Sequence, residues 1–374
     1  MSAPRAVVVG AGIAGLASAI ALKQAGFDVV VHERGAQLEP LGAALSLWPN
    51  AIAALRLLGA AKRIEAEAAP ISALGAAGID GRWIFGPVPI TPYRGCAAYL
   101  PTRALLQDAL LEALGPGVVR FGLDDGSTAP AALIIDASGI WSSATGSPPH
   151  RAGYGGVLGL SDAVEGCTPA AGVEYWGDDE RFGLFDAGSG RRYWFYIAGD
   201  RLRAAEMSRD WIEKRLGSWP DAARAAVAAT PPERLIQVDV HARPAPRRLR
   251  DGRTIVVGDA AHAMEPNLGQ GACQGLEDAV ALLIAARSVD VPGIATEYER
   301  LRLKRVRQIV TRSHQAALPV HGPPLLRRPA RALLRAVPAA LHREGVARSH
   351  RWPADFAARA DCLADCLESG AIPA

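Results

Sequence analysis

The chain has 374 residues, 49% apolar and 21% charged, with a net charge of +3; this is the profile of a globular protein with two to three domains' worth of mass. So small a charge excludes a nucleic-acid binder, and with only four lysines nearly all the positive charge is arginine. The five cysteines, Cys96, Cys167, Cys273, Cys362 and Cys366, are odd in number, scattered and without a C-x-x-C, which excludes a redox dithiol and a zinc knuckle and points to a reducing compartment.

Ala6 to Leu22 is an uncharged run that could pass for a signal peptide or a membrane span. Its glycines argue otherwise. Ala6–Val9 reads as a strand, Gly10-Ala11-Gly12-Ile13-Ala14-Gly15 as the turn after it, and the next residues as a helix to Ala25 closed by Gly26. Asp28–His32 is a second strand ending at Glu33. This is G-x-G-x-x-G with a strand before it and a helix after it, a dinucleotide-binding arrangement. Gly10 makes the tight turn, Gly12 lets a pyrophosphate approach, and Gly15 lets helix and strand pack closely. Ile13 and Ala14 complete the contact run. Glu33 is placed for a ribose hydroxyl, with Arg34 beside it. No other candidate span is present, so a cytoplasmic protein is expected.

Leu41 to Asn50 reads as a loop or short strand, with Asn50 capping a helix through Leu58 and Gly59 after it. Pro70 to Gly95 reads as strands entering a second domain. Thr102 caps a helix that begins at Arg103 and carries Leu105, Leu106, Ala109, Leu110 and Ala113 on one face. A cation at a helix N-terminus opposes the dipole, which favours a ligand role for Arg103. Leu133 to Ser143 is a buried strand and a turn.

Arg151 to Arg243 has the pattern of an inserted antiparallel sheet. Tyr154–Leu160, Gly172–Trp176, Arg181–Asp186 and Arg192–Ala198 are short, apolar-aromatic and separated by turn residues, with a hairpin at Ala187–Gly190. An aromatic face on such a sheet can wall a flat ligand. Ser208–Leu216 and Asp221–Ala229 are short helices, and Glu297–Ala316 is a long basic one. Pro323 to Leu341 mixes Leu and Ala with Arg. Packing on the cofactor domain is its expected role, in preference to a membrane surface.

The most informative stretch is Thr254 to Ala279. Ile255-Val256-Val257 reads as a buried parallel strand ended by Gly258. Asp259 then stands at the carboxyl edge of the sheet, where open α/β folds bind ligands. Pro266, Asn267 and Gly269-Gln270-Gly271 form a loop, and a helix starts at Ala272. Its N-terminal N–H groups and positive end are aimed at whatever Asp259 holds. A cofactor with both hydroxyls and a site of negative charge suits this pair. His262 reads as structural.

This run resembles the "GD" segment of the FAD-dependent aromatic hydroxylases, the group A flavoprotein monooxygenases with the para-hydroxybenzoate hydroxylase fold. The look is nearest to the urate, salicylate and quinolone hydroxylase branch. The resemblance covers about residues 1–315. It implies an α/β protein: a Rossmann-like FAD-binding domain (1–70, 96–150 and 247–320), an inserted antiparallel-sheet substrate domain (71–95 and 151–246) and a C-terminal helical segment (321–374). It implies non-covalent FAD, NADH or NADPH as transient co-substrate, O₂, and hydroxylation of a small aromatic or heteroaromatic molecule, by a monomer or homodimer with neither nucleic-acid nor membrane partners. Ser46 and Arg103 would then contact the cofactor, as would Gly269, Gln270, Gly271 and Ala272. Arg181 and Tyr193 would lie over flavin and substrate, sharing a face only if the hairpin between them has an odd residue count. Pro266 would flank the reacting oxygen. Two departures stand out. At Leu133–Ser143 the family's A-D-G-x-x-S-x-x-R becomes D-A-S-G, with Ser138 and Thr145 in place of the motif's Asp and Arg. This bears on nicotinamide use more than on FAD. The interval from Leu114 to Leu133 is also short for the family's β-meander. Alternatives are a same-fold epoxidase or reductase, or a flavin-binding protein without NAD(P)H use.

Overall fold

A computed structural model describes residues 3–39, 43–123, 131–144, 146–162, 170–203 and 207–369. Leu41, Thr145 and Cys167 lie outside these residues. The chain opens with β1 (Arg5–Val9), α1 (Ile13–Gln24) and β2 (Asp28–Glu33). β1 and β2 run parallel, with Arg5 opposite Asp28 and Val9 opposite His32. Their valines suit a strand buried on both faces. Gly10 turns the chain at φ +99°, and a Cβ there would lie 2.5 Å from the Ala137 carbonyl oxygen. A Cβ at Gly15 would lie 1.9 Å from the Gly10 carbonyl oxygen. Any side chain at either position would push helix away from sheet.

Next come α2 (Pro49–Leu57) and α3 (Ala61–Glu67). Trp48, not Asn50, is the N-cap of α2. Pro49 explains the difference: at the first helical position its missing N–H costs nothing, so the helix starts before Asn50. Asn50 is buried instead, and its Nδ2 donates to Gln270 Oε1 at 3.1 Å and Glu277 Oε1 at 2.7 Å. Then follow β3 (Ala69–Ile71), β4 (Ala73–Gly78), β5 (Trp83–Pro89), β6 (Ala98–Leu100), α4 (Arg103–Leu114), β7 (Val119–Phe121) and β8 (Leu133–Asp136). Thr102 caps α4 as expected, its Oγ1 accepting from the Leu105 N–H at 3.1 Å.

The four strands read from the sequence fall within β9 (His150–Asp162), β10 (Ala171–Trp176), β11 (Glu180–Gly188) and β12 (Arg191–Gly199). Helices α5 (Arg209–Arg215) and α6 (Asp221–Ala228) lead to β13 (Leu235–Ala242). The chain returns through β14 (Arg250–Asp251), β15 (Thr254–Val256), α7 (Asp259–His262), α8 (Gly271–Ser288) and α9 (Ile294–Gln315). It continues in α10 (Leu318–His321), α11 (Pro324–Ala336), α12 (Ala339–Ser349) and α13 (Ala354–Ser369).

The first sheet has the order β14-β15-β8-β1-β2-β7 and is parallel apart from the β14 edge. The second has the order β13-β9-β12-β11-β10-β4-β5 and is antiparallel except where β10 runs alongside β4. Strands from 71–95 and from 151–246 therefore share one sheet. The tail departs from expectation. α13 packs against α8, but α11 and α12 pack against β5 of the second sheet. β5 is an edge strand that needs a cover, and Phe85 stacks on His342 there.

α8 and α9 are joined by buried charge. Asp278 accepts from the Gly258 N–H at 2.9 Å, from Arg302 Nε at 2.8 Å, and pairs with His262 Nε2 at 2.7 Å. Arg302 Nη1 reaches Glu277 Oε2 at 2.6 Å. Burial pushes both carboxyls up, but His262 and Arg302 hold Asp278 well below the usual range, and Arg305 and Arg302 hold Glu277 below it. With folded values depressed, the stabilisation is complete above the ordinary carboxyl values of about 4 and is lost as pH falls below them. Arg302→Ala should cost about 3–5 kcal/mol by leaving two buried carboxylates short of a partner. Thermal unfolding at neutral pH reads this loss, and a variant that melts with the parent would show that the cluster does not brace the fold.

Candidate active site

The first region is a groove of about 530 Å³ lined by Gly12, Ile13, Glu33, Arg34, Arg103 and Gln107 among others. It opens above the β1–α1 turn. A Cβ at Gly12 would meet nothing within 4 Å, so the loop presents bare backbone to the groove, as a pyrophosphate requires. Glu33 is held over this loop, its two oxygens accepting from the N–H groups of Ala11 and Gly35, each at 2.9 Å. A carboxylate has about four acceptor sites, so lone pairs remain for sugar hydroxyls. Arg103 starts α4 and is exposed at the groove rim. Ala14, in the first turn of α1, is half-buried. Its methyl faces protein, 2.6 Å from a Cβ built on Gly258 and 3.0 Å from one on Gly275, so its side chain is a packing contact between α1 and α8.

The second region follows β15. Gly258 has φ +57°, a conformation that glycine adopts without penalty. Its N–H is tied to Asp278, which fixes the turn and leaves Asp259 exposed as the first residue of α7. His262 is buried on the same carboxylate, in keeping with a structural role. α8 begins at Gly271, one residue before the expected start. A Cβ on Gly271 would meet nothing within 4 Å. Gly271 and Ala272 are half-buried, and the first-turn N–H groups of α8 have no helical acceptor. Gly269 lets the chain pass Trp48, whose ring would lie 3.0 Å from a Cβ there. The Gln270 side chain is buried between Asn50 and Gln274, which leaves its backbone to face a ligand. Ser46 is half-buried, and its carbonyl accepts from the Cys273 thiol at 3.6 Å.

The third region is the inner face of the second sheet. Arg181 pairs with Ile197 and Phe185 with Tyr193, so Arg181 and Tyr193 lie on one face. Glu174, Tyr154 and Phe195 share it by register. The rings lie flat because glycines lie beneath them: a Cβ on Gly183 would sit 2.2 Å from Phe195, and one on Gly172 2.2 Å from Phe185. Arg181 is 4% exposed. Its guanidinium stacks 5.5 Å from the Phe195 centroid, donates to Asn267 Oδ1 at 2.7 Å and reaches Glu174 at 3.4 Å. Its Nε is buried with no partner among the described residues. Burial pushes the Tyr193 phenol up to about 12, against the opposite pull of the Arg103 and Arg181 cations.

Asn267 joins this face to the loop of Pro266–Leu268, where Pro266 is exposed. Its Nδ2 lies 2.9 Å from Glu265 Oε2, 3.0 Å from Tyr154 Oη and 2.9 Å from the Ser313 carbonyl. Tyr154 donates to Glu265 at 2.6 Å, and Glu265 Oε1 meets His314 Nδ1 at 2.7 Å. Sequence reasoning did not single out Glu265, Tyr154 or His314. Glu265 and Asn267 stand inside the run already marked, but nothing local shows their partners. In the D-A-S-G turn, Asp136 accepts from Ser138 and Ser142, and Arg243 donates to the carbonyls of Ile140, Ser142 and Ser147. Here the aspartate holds the turn together. Among the described residues no cluster could hold a metal ion, and no helix is long and apolar enough to cross a membrane.

Comparison with known proteins places these features in context. The profile of the family described as "FAD binding domain" matches residues 4–111 and 116–313. The FAD-dependent urate hydroxylase of Klebsiella pneumoniae is 30% identical over 352 residues, covering 85% of this chain and 91% of that protein. The 3-amino-4-hydroxybenzoate 2-monooxygenase of Streptomyces cremeus is 32% identical over 362 residues, covering 85% and 88%. The crystal structure of Klebsiella pneumoniae HpxO with FAD and uric acid matches with a TM-score of 0.83 at 28% identity, over 93% of this chain and 96% of that one.

The Asn267 network can be tested without any ligand. Glu265→Gln replaces an acceptor by an amide and leaves Asn267 and Tyr154 short of a charged partner. The loss should be roughly 1–3 kcal/mol, read as earlier thermal unfolding. An unchanged melting temperature would mean that Glu265 does not organise this corner.

Proposed function

Because this chain belongs to the FAD-binding-domain family and is an FAD-dependent aromatic hydroxylase, we propose that it acts on a small planar heteroaromatic that carries an anionic or carbonyl oxygen, in the manner of urate. The observation that carries this reading is the buried, unpartnered Nε of Arg181, beside Phe195 and on the same face as Tyr193. A buried donor without a partner is costly unless a ligand supplies one. The face is aromatic, which suits a flat ring. Tyr193, with its phenol near 12, stays protonated at neutral pH and donates.

The groove and turns fit FAD. Gly10, Gly12, Ile13 and Gly15 form its loop, with the backbone of Ala14, while Glu33 receives ribose hydroxyls and Arg34 and Arg103 border the groove. Asp259 accepts from the sugar-alcohol chain, and Ser46 flanks it. The Gly269–Ala272 helix end, through the backbone of Gly269, Gln270 and Gly271, stabilises negative charge on the ring system. When bound, FAD would supply the redox chemistry, in which two electrons from NADH or NADPH and one O₂ put one oxygen atom on the substrate ring and the other into water. The protein's share is to hold the substrate against Arg181 and Tyr193, to keep water out with the aromatic wall, and to border the reacting site with Pro266. Residues 1–70, 96–150 and 247–320 form the cofactor part, and 71–95 with 151–246 the substrate part, a division supported by the shared second sheet. The odd number and scattered spacing of the cysteines support a reducing, cytoplasmic setting.

Asp259→Ala should weaken FAD roughly ten- to hundred-fold, since the sugar hydroxyls lose a charged acceptor. Flavin occupancy by absorbance, set beside the melting temperature of the apo-protein, decides the matter. Full flavin with a lower melting point would make Asp259 a helix cap and nothing more. Arg181→Ala should keep FAD but reduce kcat/KM on uric acid or a related planar anion by roughly ten- to hundred-fold, the equivalent of one charge-assisted hydrogen bond. Parent-like turnover in that variant would point the substrate elsewhere.

A further inference from the structure

α11 turns Arg327 and Arg331 toward the protein, and with them Leu334, which packs against Ala76, Ile84, Trp176 and Val320. Arg327 donates to the Gly322 carbonyl at 2.7 Å and pairs with Asp178 at 3.0 Å and Asp179 at 3.3 Å. Arg331 donates to the carbonyls of Pro319, Trp176 and Gly177. The outward side is apolar. Leu325 is 89% exposed and Leu333 68% exposed, with Leu326 exposed as well. Leu325, Pro329, Ala332 and Ala336 follow the three-four spacing of one helix face, with Leu326 and Leu333 beside them. Leu341, in the first turn of α12, is 62% exposed. The leucines held out to water do nothing for the fold, and a run of exposed apolar side chains on one helix face marks a contact.

The charge around the patch selects the partner. From Gly322 to Arg351 the sequence has seven arginines and one acid, Glu344, which is already engaged with Arg348 and Arg351. Arg328, Arg335 and Arg343 are exposed and make no ion pair among the described residues. The acids beside the helix, Asp178 paired with Arg327 and Asp80 with Arg82, are fewer than its arginines, so a two-fold contact with a second copy would set an arginine excess against itself. Leucines that enter the headgroup boundary, flanked by arginines that meet negative headgroups, are the arrangement of a helix lying on an anionic bilayer.

We propose that the outer face of α11, continued by Leu341, docks on an anionic lipid surface. The helix lies in the surface and does not span it. Its inner arginines, anchored on the Trp176–Asp179 turn and the carbonyls of Pro319 and Gly322, hold the leucines rigidly outward, so docking needs no refolding. The assignment is independent of which ring the enzyme oxidises.

The test is sedimentation of the full-length, FAD-loaded protein with vesicles of phosphatidylcholine alone and with an equal mixture of phosphatidylcholine and phosphatidylglycerol. Binding is expected to the mixed vesicles only and to weaken with added salt. Leu325→Gln with Leu333→Gln should abolish it, and Arg328→Gln with Arg335→Gln should lower the partition constant roughly thirty-fold. Circular dichroism and flavin content should match the parent in both, since all four side chains are exposed. No binding to the mixed vesicles would overturn the proposal, as would binding that neither double variant weakens. Sedimentation velocity supplies the third outcome: a parent dimer that the leucine variant turns into monomers would give the face to a second copy instead.

Discussion

The site depends on one buried carboxylate. Asp278 is surrounded by the Gly258 N–H, His262 and Arg302, and each contact fixes a different element. The first sets the turn that presents Asp259, the second sets α7, and the third clamps α9 against α8. A charge taken out of water is costly unless its lone pairs are met, so these three partners are not interchangeable with looser arrangements. Glu277 extends the constraint through Asn50 to α2 and through Arg305 to the carbonyl of Ser349 in the tail. The open amides at the start of α8 keep their direction because the helix behind them is locked by ions as well as by side-chain packing.

The second sheet is tied to this locked core by few polar contacts. Asn267 is the joint: its amide nitrogen serves the Glu265 corner, and its oxygen receives Arg181 from β11. An amide has one acceptor end and one donor end, so turning it over would set a donor against the guanidinium. The orientation of Arg181 is thereby coupled to Tyr154 on β9 and Ser313 and His314 on α9. His314, 76% exposed, puts the far end of this chain of contacts in water.

Much of this was legible in the residues, and the exceptions have a common cause. The glycine run at 10–15, the strand-turn at 254–259 and the four strands of the hairpin sheet are local patterns, set by spacing and turn chemistry. The face shared by Arg181 and Tyr193 was legible only up to the parity of their hairpin, which the register at Phe185–Tyr193 supplies. Asn50 looked like a cap because its own side chain suits that role, yet Pro49 moved the helix start. The packing of the Ala14 and Gln270 side chains was not legible, because Gly258, Gly275 and Asn50 approach from distant sequence. Periodicity could not distinguish Arg302 and Arg305 from the solvated arginines of the same helix, for their partners are on α8. The tail was read by composition alone, which gives amphipathicity but not which side faces in.

The glycines under the aromatic wall carry a consequence for how such a site changes. Phe195 and Phe185 lie down because Gly183 and Gly172 have no Cβ to lift them. The clearance above the rings is therefore set from the floor, by Gly183 and Gly172 beneath them. One methyl at position 183 would tilt Phe195 upward and carry with it the guanidinium stacked on that ring. Ring height and cation position would shift in one step, with Arg181, Phe195 and Tyr193 all unchanged. Selectivity for guest size can thus drift through silent positions of the strand while the visible lining remains constant.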